Sequence, residues 1–194
     1  MGRLAAATAA AWIVATAAPA VRAEPMGVEI AAKGGVMTTN PTGYGVGLRG
    51  GDSIASLYFG VGFLYYDGGS ITSSLPSGGF ATPAGATTTS TYHWLQYGVE
   101  FGYDIKPLER LTIRPQVGLG GYSTGGSCSI SPPSNSYGCG IESSTYPYVE
   151  PGVTGMIRLG RLLFVGLDVN LLLVPADSQV HPYLTAHGQI GVTF

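Results

Sequence analysis

Residues 161–174 read RLLFVGLDVNLLLV, and this stretch is the clearest indication of the fold class. Side chains of a β-strand alternate between its two faces, so from Leu163 to Leu173 one face is wholly apolar and the other carries Asp168 and Asn170. The last thirteen residues, 182–194, repeat the alternation, with Leu184 to Phe194 opposite a face that carries His187 and Gln189. The pattern predicts membrane strands of a β-barrel whose apolar face contacts lipid, although a soluble sheet can alternate in the same way.

Charged residues in the predicted strands all share the inward parity. Arg or Lys on the lipid face at the bilayer midplane costs about 2–4 kcal/mol. The lumen of a barrel of eight strands is narrow and filled by side chains. We therefore predict a polar lumenal network that blocks free diffusion, with the pairs Glu100–Arg114 and Asp168–His187 in it. Its predicted members are Glu29, Lys33, Arg49, Glu100, Arg114, Glu150, Asp168 and His187, and Arg158 shares their inward parity.

Composition agrees with this fold class. Charged residues are 10% of the 194 residues, against about 25% in soluble globular domains. The net charge of −2 and the lack of a basic stripe give no reason to expect nucleic-acid binding. No cofactor is indicated.

The N-terminus has the features of a secretory signal. Arg3 is followed by an Ala-rich apolar stretch and by Val21-Arg22-Ala23, which fits a cleavage site. We predict a signal peptide over 1–23 and one barrel domain over 24–194. Beyond residue 23 no apolar run approaches the ~18 residues that a spanning helix needs, so a membrane crossing must use strands.

Alternation predicts eight antiparallel strands in up-and-down order. Short connections alternate with long ones that are rich in Ser, Thr, Gly and Pro, chiefly 67–90 and 123–144. Outer-membrane barrels have short periplasmic turns and longer extracellular loops. Pro115 and Pro151 fall inside strands, where a bulge or a local widening of the ladder is expected. The predicted strands are 27–38, 43–50, 54–66, 91–104, 110–122, 145–159, 161–174 and 182–194, with a turn at Gly50 to Ser53 and another at 105–109.

Tyrosines concentrate at the strand ends beside the long loops. Amphipathic rings suit a membrane–water interface, and those with inward parity would cap the lumen. The predicted capping residues are Tyr66, Tyr92, Tyr122, Tyr146, Tyr148 and Tyr183.

The two cysteines, Cys128 and Cys139, lie in one predicted loop of an exported chain. A disulfide is the expected use, because no His or second Cys pair stands near them to complete a metal site.

The three histidines are the residues that could indicate a catalytic site. Asp168 opposite His187 could orient an imidazole, but no lumenal serine is placed beside it to act as nucleophile. A structural role for His187 is favoured, and no catalytic residue is predicted. The enzyme alternative would need a Ser–His site at the outer rim, with His93 or His181 as the base.

On these residues the chain resembles the small eight-strand outer-membrane barrels of the OmpA transmembrane domain, OmpX and opacity-protein type. The ending Ile190-Gly191-Val192-Thr193-Phe194 is similar to the C-terminal signal that the barrel-assembly machinery recognises in this class, through Ile190, Val192 and Phe194. The resemblance implies the outer membrane of a Gram-negative-type bacterium, with lipid and that machinery as partners. Members act as adhesins, wall tethers or small gated pores. Because the chain ends at the last strand, we do not expect the tether role.

The functional prediction is a non-enzymatic surface protein whose loops 67–90 and 123–144 contact a ligand. Loops on a rigid scaffold are where recognition usually lies. A small pore and an enzyme that modifies outer-membrane lipid remain the alternatives.

Overall fold

The computed structural model describes residues 27–74, 86–131, 137–176 and 179–194. Within these residues, 137–141 are described by their backbone alone. The predicted signal peptide 1–23 and the start of the domain at Glu24 lie outside the described residues.

The described chain is built of β-strands. In chain order they are β1 (Gly27–Met37), β2 (Gly43–Ile54), β3 (Leu57–Ser74), β4 (Thr87–Tyr103), β5 (Ile105–Leu108), β6 (Leu111–Ser131), β7 (Tyr137–Leu159), β8 (Leu163–Ala176) and β9 (Gln179–Thr193). β4 and β5 both pair with β6 and are separated only by Asp104, so they are two parts of one barrel strand.

The sheet is closed. Each strand pairs with its neighbours in the chain, and β1 pairs with both β2 and β9. All pairings are antiparallel, which confirms an eight-stranded up-and-down barrel. Among the described residues, no helix has the length and apolar character needed to cross a membrane.

The alternation in the sequence separates the outside of the barrel from its inside. On β1, Val28 and Ile30 are 48% and 51% exposed, whereas Glu29 and Lys33 are 7% and 5% exposed. A continuous belt of Val, Leu, Ile and Phe side chains therefore covers the outer surface, and the polar groups fill the interior.

The turn between β2 and β3 lies four residues later than predicted. The predicted turn at Gly50 to Ser53 is wrong, since β2 continues to Ile54, which pairs with Leu57. Ala55 and Ser56 form the turn with φ of 49° and 72°. Two glycines in succession usually signal a turn, but Gly51 serves another purpose here. A Cβ on Gly51 would lie 2.3 Å from the Tyr58 hydroxyl, so the glycine makes room for that ring.

The predicted register of the next hairpin is also wrong. The chain runs on through β5 to a tight turn at Glu109 and Arg110, so Glu100 pairs with Gly118 and not with Arg114. The predicted register differs from the observed one by an even number of residues, so every side chain keeps its predicted face.

The long loops are largely strand. β3 and β4 pair from Ser70 with Thr91 up to Ser74 with Thr87, and β6 and β7 pair up to Ile130 with Tyr137. Much of 67–90 and 123–144 is thus hydrogen-bonded hairpin, and the rest of each includes residues outside those described. Ser and Thr on both faces hide the alternation, because strands beyond the membrane need no apolar face.

Neither proline produces a bulge, the first of the two expected outcomes; each instead lies beside a local gap in the ladder. Pro115 pairs with Val153, and Pro151 pairs with Val117, in an unbroken register between β6 and β7. On their other sides the ladder is interrupted: β7 and β8 pair at Val149 and again from Gly152, and β4 pairs with β6 only to Gln116. The missing N–H of each proline therefore coincides with a gap in the ladder.

Candidate functional site

The lumen holds a network of buried charged groups. Of the described side chains, five acids and three bases inside the barrel are at most 8% exposed. We call the end of the barrel with the turns at Ala55 and Glu109 the turn end, and the opposite end the loop end.

Arg114 organises the network at the turn end. Its Nε donates to Asp104 Oδ1 at 2.5 Å, and its Nη2 donates to Asp104 Oδ2 at 3.1 Å. Its other side binds both carboxylate oxygens of Glu29, through Nη1 to Oε1 and through Nη2 to Oε2. β6 and β1 are diametrically opposite in the ring of eight strands, so the Arg114–Glu29 contact crosses the full lumen.

Tyr58 lies between two guanidinium groups. The Cζ of Arg114 is 3.6 Å from its ring centroid and that of Arg49 is 4.6 Å away. Arg49 Nε also donates to the Tyr58 hydroxyl at 2.8 Å. A ring face stabilises adjacent cations through its quadrupole, which lets two arginines approach each other in a closed space.

Arg49 makes a second crossing. Its Nη1 donates to Thr154 Oγ1 at 3.4 Å, and β2 and β7 are also opposite strands. The nearest acid partner of Arg49 is Glu100, with Nε–Oε2 at 2.8 Å, and Glu29 and Asp168 lie 3.7 Å from its guanidinium group.

Lys33 and Asp168 form the central ion pair. Lys33 Nζ lies 2.6 Å from Asp168 Oδ2, and both side chains are buried. Thr154 Oγ1 and Gln189 Nε2 donate to Asp168 Oδ1 at 2.6 and 3.1 Å. A carboxylate with a cation and two hydroxyl or amide donors is satisfied despite its burial.

Glu150 is held by neutral donors. Gln96 Nε2 donates to its Oε2 at 2.6 Å, and Thr185 Oγ1 donates to its Oε1 at 3.0 Å.

Asp168 does stand opposite His187 in the register of β8 and β9. The ring nitrogen Nε2 of His187 is however hydrogen-bonded to the Tyr66 hydroxyl, at 2.7 Å.

An apolar, largely aromatic layer fills the lumen above the charges, toward the loop end. We call it the aromatic cap. Tyr122 and Tyr183 stack with centroids 6.1 Å apart. Each tyrosine predicted to cap the lumen belongs to it. Its buried members are Met37, Leu64, Tyr66, Trp94, Tyr122, Tyr148, Leu172 and Val174, and Tyr92, Tyr146 and Tyr183 pack against them.

The structure places all the predicted network residues on the inner side but rearranges their partners. The predicted pair Glu100–Arg114 is wrong, because the shifted hairpin brings Arg114 to Asp104 and Glu100 to Arg49. Arg158 lines a small cavity of about 50 Å³ at the turn end, together with Glu29, Asp104 and Arg114.

Sequence reasoning missed two central residues. Asp104 was assigned to the edge of a turn, and Tyr58 was not considered. Both occupy positions whose side chains point inward, and this alternation is the feature of the sequence that could have identified them. Their roles depend on contacts with β2 and β6 that no local pattern encodes.

Beyond the aromatic cap, four strands continue past the loop end and form a wall along one side of the barrel. We define the wall as Gly68–Ser74, Thr87–His93, Gly125–Ser131 and 137–141, which are joined by strand pairing with register shifts at its base, between Asp67 and Ser70 and between Thr124 and Gly126. On the other side of the barrel β1 ends at Met37 and β8 at Ala176. Within the wall, the backbone of Cys128 stands directly opposite that of Cys139, and their disulfide stays a prediction. The ring of His93 stacks on Tyr65 at 6.1 Å.

No grouping of three or more His, Cys, Asp or Glu within the described ranges could hold a metal ion. The C-terminal residues Ile190 and Phe194 point outward, at 59% and 68% exposed, and Val192 lies on the same face. Their role as an assembly signal stays a prediction.

Comparison with known proteins agrees with this architecture. A major outer membrane protein from Thermus thermophilus superposes with a TM-score of 0.56 at 12% identity, covering 88% of this chain and 100% of that one. The chain has the fold of a small outer-membrane β-barrel. Neisserial surface protein A gives a TM-score of 0.43 at 14% identity, covering 89% of this barrel and 98% of that chain. The Yersinia pestis attachment invasion locus protein, in complex with the heparin analogue sucrose octasulfate, gives a TM-score of 0.46 at 12% identity. This match covers 87% of this chain and 97% of that chain. No family model and no curated protein matches the barrel.

Proposed function

We propose that this protein is a non-enzymatic surface protein of a bacterial outer membrane, with a closed lumen, whose specific contacts are made by the wall. The observation that carries the proposal is the hydrogen-bonded extension of β3, β4, β6 and β7 beyond the aromatic cap, which in the described residues is confined to one side of the barrel. A rigid sheet that rises above the membrane presents side chains to the exterior at little cost in conformational entropy.

The location follows from the outer surface. Exposed apolar side chains form a belt around a closed barrel, and only closed barrels and helices satisfy their backbone polar groups inside lipid. The short turns would then face the periplasm and the wall the exterior.

The closed lumen is supported by two successive barriers. Arg114–Glu29 and Arg49–Thr154 connect opposite walls of the barrel, and the aromatic cap fills the space above them. A pore would require both layers to move.

The composition of the wall suggests its ligands. Segments 68–74, 87–91 and 124–131 contain no charged residue and are mostly Ser, Thr and Gly. Strand β3 beyond Asp67 has no strand on its outer side among the described residues, since β2 begins at Gly43 and pairs Tyr44 with Asp67. The wall thus offers hydroxyls and free backbone groups, which suit neutral glycans or extended peptides.

Truncation of the wall is the decisive experiment. Deletion of 126–141 removes the tip of the β6–β7 hairpin and leaves Thr124 paired with Ser144. Vesicles that carry this variant should lose binding to immobilised mucin-type glycoprotein or to unfolded peptide, while the barrel still shows heat-modifiable migration on gels. A control with 126–141 replaced by Gly and Ser at equal length separates the height of the wall from its side chains.

The alternatives give different results. Binding that survives the deletion would place the contacts elsewhere on the barrel. A lipid-modifying activity that survives the deletion but is lost in His181→Ala would replace the binding role with an enzymatic one.

A further inference from the structure

Asp52 is an acid that points outward within the apolar belt of the barrel. It pairs with Val28 on β1 and with Phe59 on β3, and these neighbours are 48% and 47% exposed on the apolar outer surface. Ile54 and Leu57, which are also exposed, lie between Asp52 and the turn end. The carboxylate is therefore surrounded by side chains that contact lipid in a membrane.

A shallow groove begins at this carboxylate. It encloses about 420 Å³ and is lined mainly by Gly50, Phe59, Val61, Val99 and Phe101, with Asp52 among its lining residues. Gly50 has no side chain and therefore leaves part of the groove open. The space beside it is empty, because a Cβ there would have only one backbone oxygen within 4 Å, at 3.8 Å. Phe59 and Phe101 pack edge to face at 5.7 Å and form one side.

One carboxylate oxygen of Asp52 lacks a donor among the described residues. This oxygen, Oδ1, is shielded from solvent and accepts no hydrogen bond from them. A shielded carboxylate oxygen is strongly disfavoured without a hydrogen bond or a cation. Asp52 lies on the outward face of β2, so an ammonium group seated on the outer surface would stand beside this carboxylate.

We propose that the groove binds a phospholipid with a primary-ammonium headgroup, of the phosphatidylethanolamine type. One acyl chain lies in the apolar groove, and the ammonium group donates to Asp52. A choline headgroup is also cationic but has no N–H to donate, and a glycerol headgroup leaves the lipid anionic and repelled by the carboxylate. The turn end, where Asp52 lies, corresponds to the inner leaflet if the turns are periplasmic. The site depends on the barrel being in a membrane but not on the function of the wall.

Lipid competition tests the proposal. The full chain is reconstituted in vesicles that contain equal amounts of phosphatidylethanolamine and phosphatidylcholine, then extracted gently, and the retained lipid is measured by native mass spectrometry. A charge-assisted hydrogen bond predicts about tenfold preference for the ethanolamine lipid. Asp52→Asn should abolish the preference. Glu109→Gln, which neutralises an exposed acid in a turn at the same end, should leave it intact.

A second variant isolates the groove. Gly50→Leu places a side chain in the acyl-chain position and should reduce retention of both lipids, with the barrel still heat-modifiable. Equal retention of the two lipids by the unmodified protein, or an unchanged preference in Asp52→Asn, would overturn the proposal.

Discussion

Arg114 and Glu29 lie on opposite walls of the barrel and form a two-point contact across its whole diameter. Asp104 binds the same guanidinium from another side. The three groups thus hold β1, the junction of β4 and β5, and β6 together near the turn end.

Removal of Arg114 should destabilise the barrel markedly. Arg114→Ala leaves Glu29 and Asp104 buried without their main cation, a change that costs about 3–5 kcal/mol when one partner of a buried pair is removed. Unfolding by urea in vesicles measures the difference. Arg110→Ala, at an exposed position in the nearby turn, should change stability by no more than about 0.5 kcal/mol. Equal effects of the two variants would contradict the structural role of the network.

The space around Tyr58 predicts a second effect. A Cβ at Gly60 would lie 2.0 Å from the Tyr58 hydroxyl, so Gly60→Ala should cost about 1–3 kcal/mol through overpacking. Gly155→Ala is the matched control, because a Cβ there meets nothing within 4 Å. In Tyr58→Ala the cost of Gly60→Ala should largely disappear. An additive double mutant would show that the glycine acts independently of the ring.

These residues show what the sequence could and could not provide. Parity is a local property, so the inward placement of Glu100, Arg114 and Asp168 followed from alternation alone. The partner of each charge depends on how the sheet closes, and Arg49 meets Glu100 because β2 and β4 flank β3. The predicted pair Glu100–Arg114 was therefore misleading, since a shift of the register by an even number of residues keeps the same side chains inward.

The turn at Ala55 and Ser56 offers a stabilising substitution. Both residues have positive φ, which non-glycine residues adopt at a cost of about 1–2 kcal/mol. Two-residue hairpins of this geometry favour Asn-Gly. Ala55→Asn with Ser56→Gly should raise stability by about 1 kcal/mol, measured by the urea midpoint. Val61→Asn, inside β3 and already followed by Gly62, creates the same Asn-Gly pair away from a turn and should not stabilise. A neutral or destabilising result at the turn would argue against its conformation.

The charged network and the aromatic cap block the lumen one after the other, so we expect no conductance when only one of them is opened. Trp94→Ala opens part of the aromatic cap but leaves the Arg49 and Arg114 crossings below it. Planar-bilayer recordings should therefore show no steady conductance for the unmodified protein or for this variant. Conductance should appear only when Arg49→Ser and Arg114→Ser are added to Trp94→Ala. Large, steady currents through the unmodified barrel would favour the pore.

The cysteines test whether the wall is preorganised. The opposed positions of Cys128 and Cys139 suit a disulfide, which would restrict the β6–β7 hairpin far from the lumenal network. Reduction should therefore leave the unfolding midpoint of the barrel unchanged while it weakens binding by the wall, since the ordering entropy must then be lost on association. Cys128→Ser with Cys139→Ser should reproduce the effect and make it insensitive to reductant. Cys128→Ser alone, which leaves one thiol, controls for the loss of the sulfur at that position and should bind like the double variant. If reduction lowers the midpoint of the barrel but not the binding, the disulfide supports the barrel itself and the wall does not depend on it.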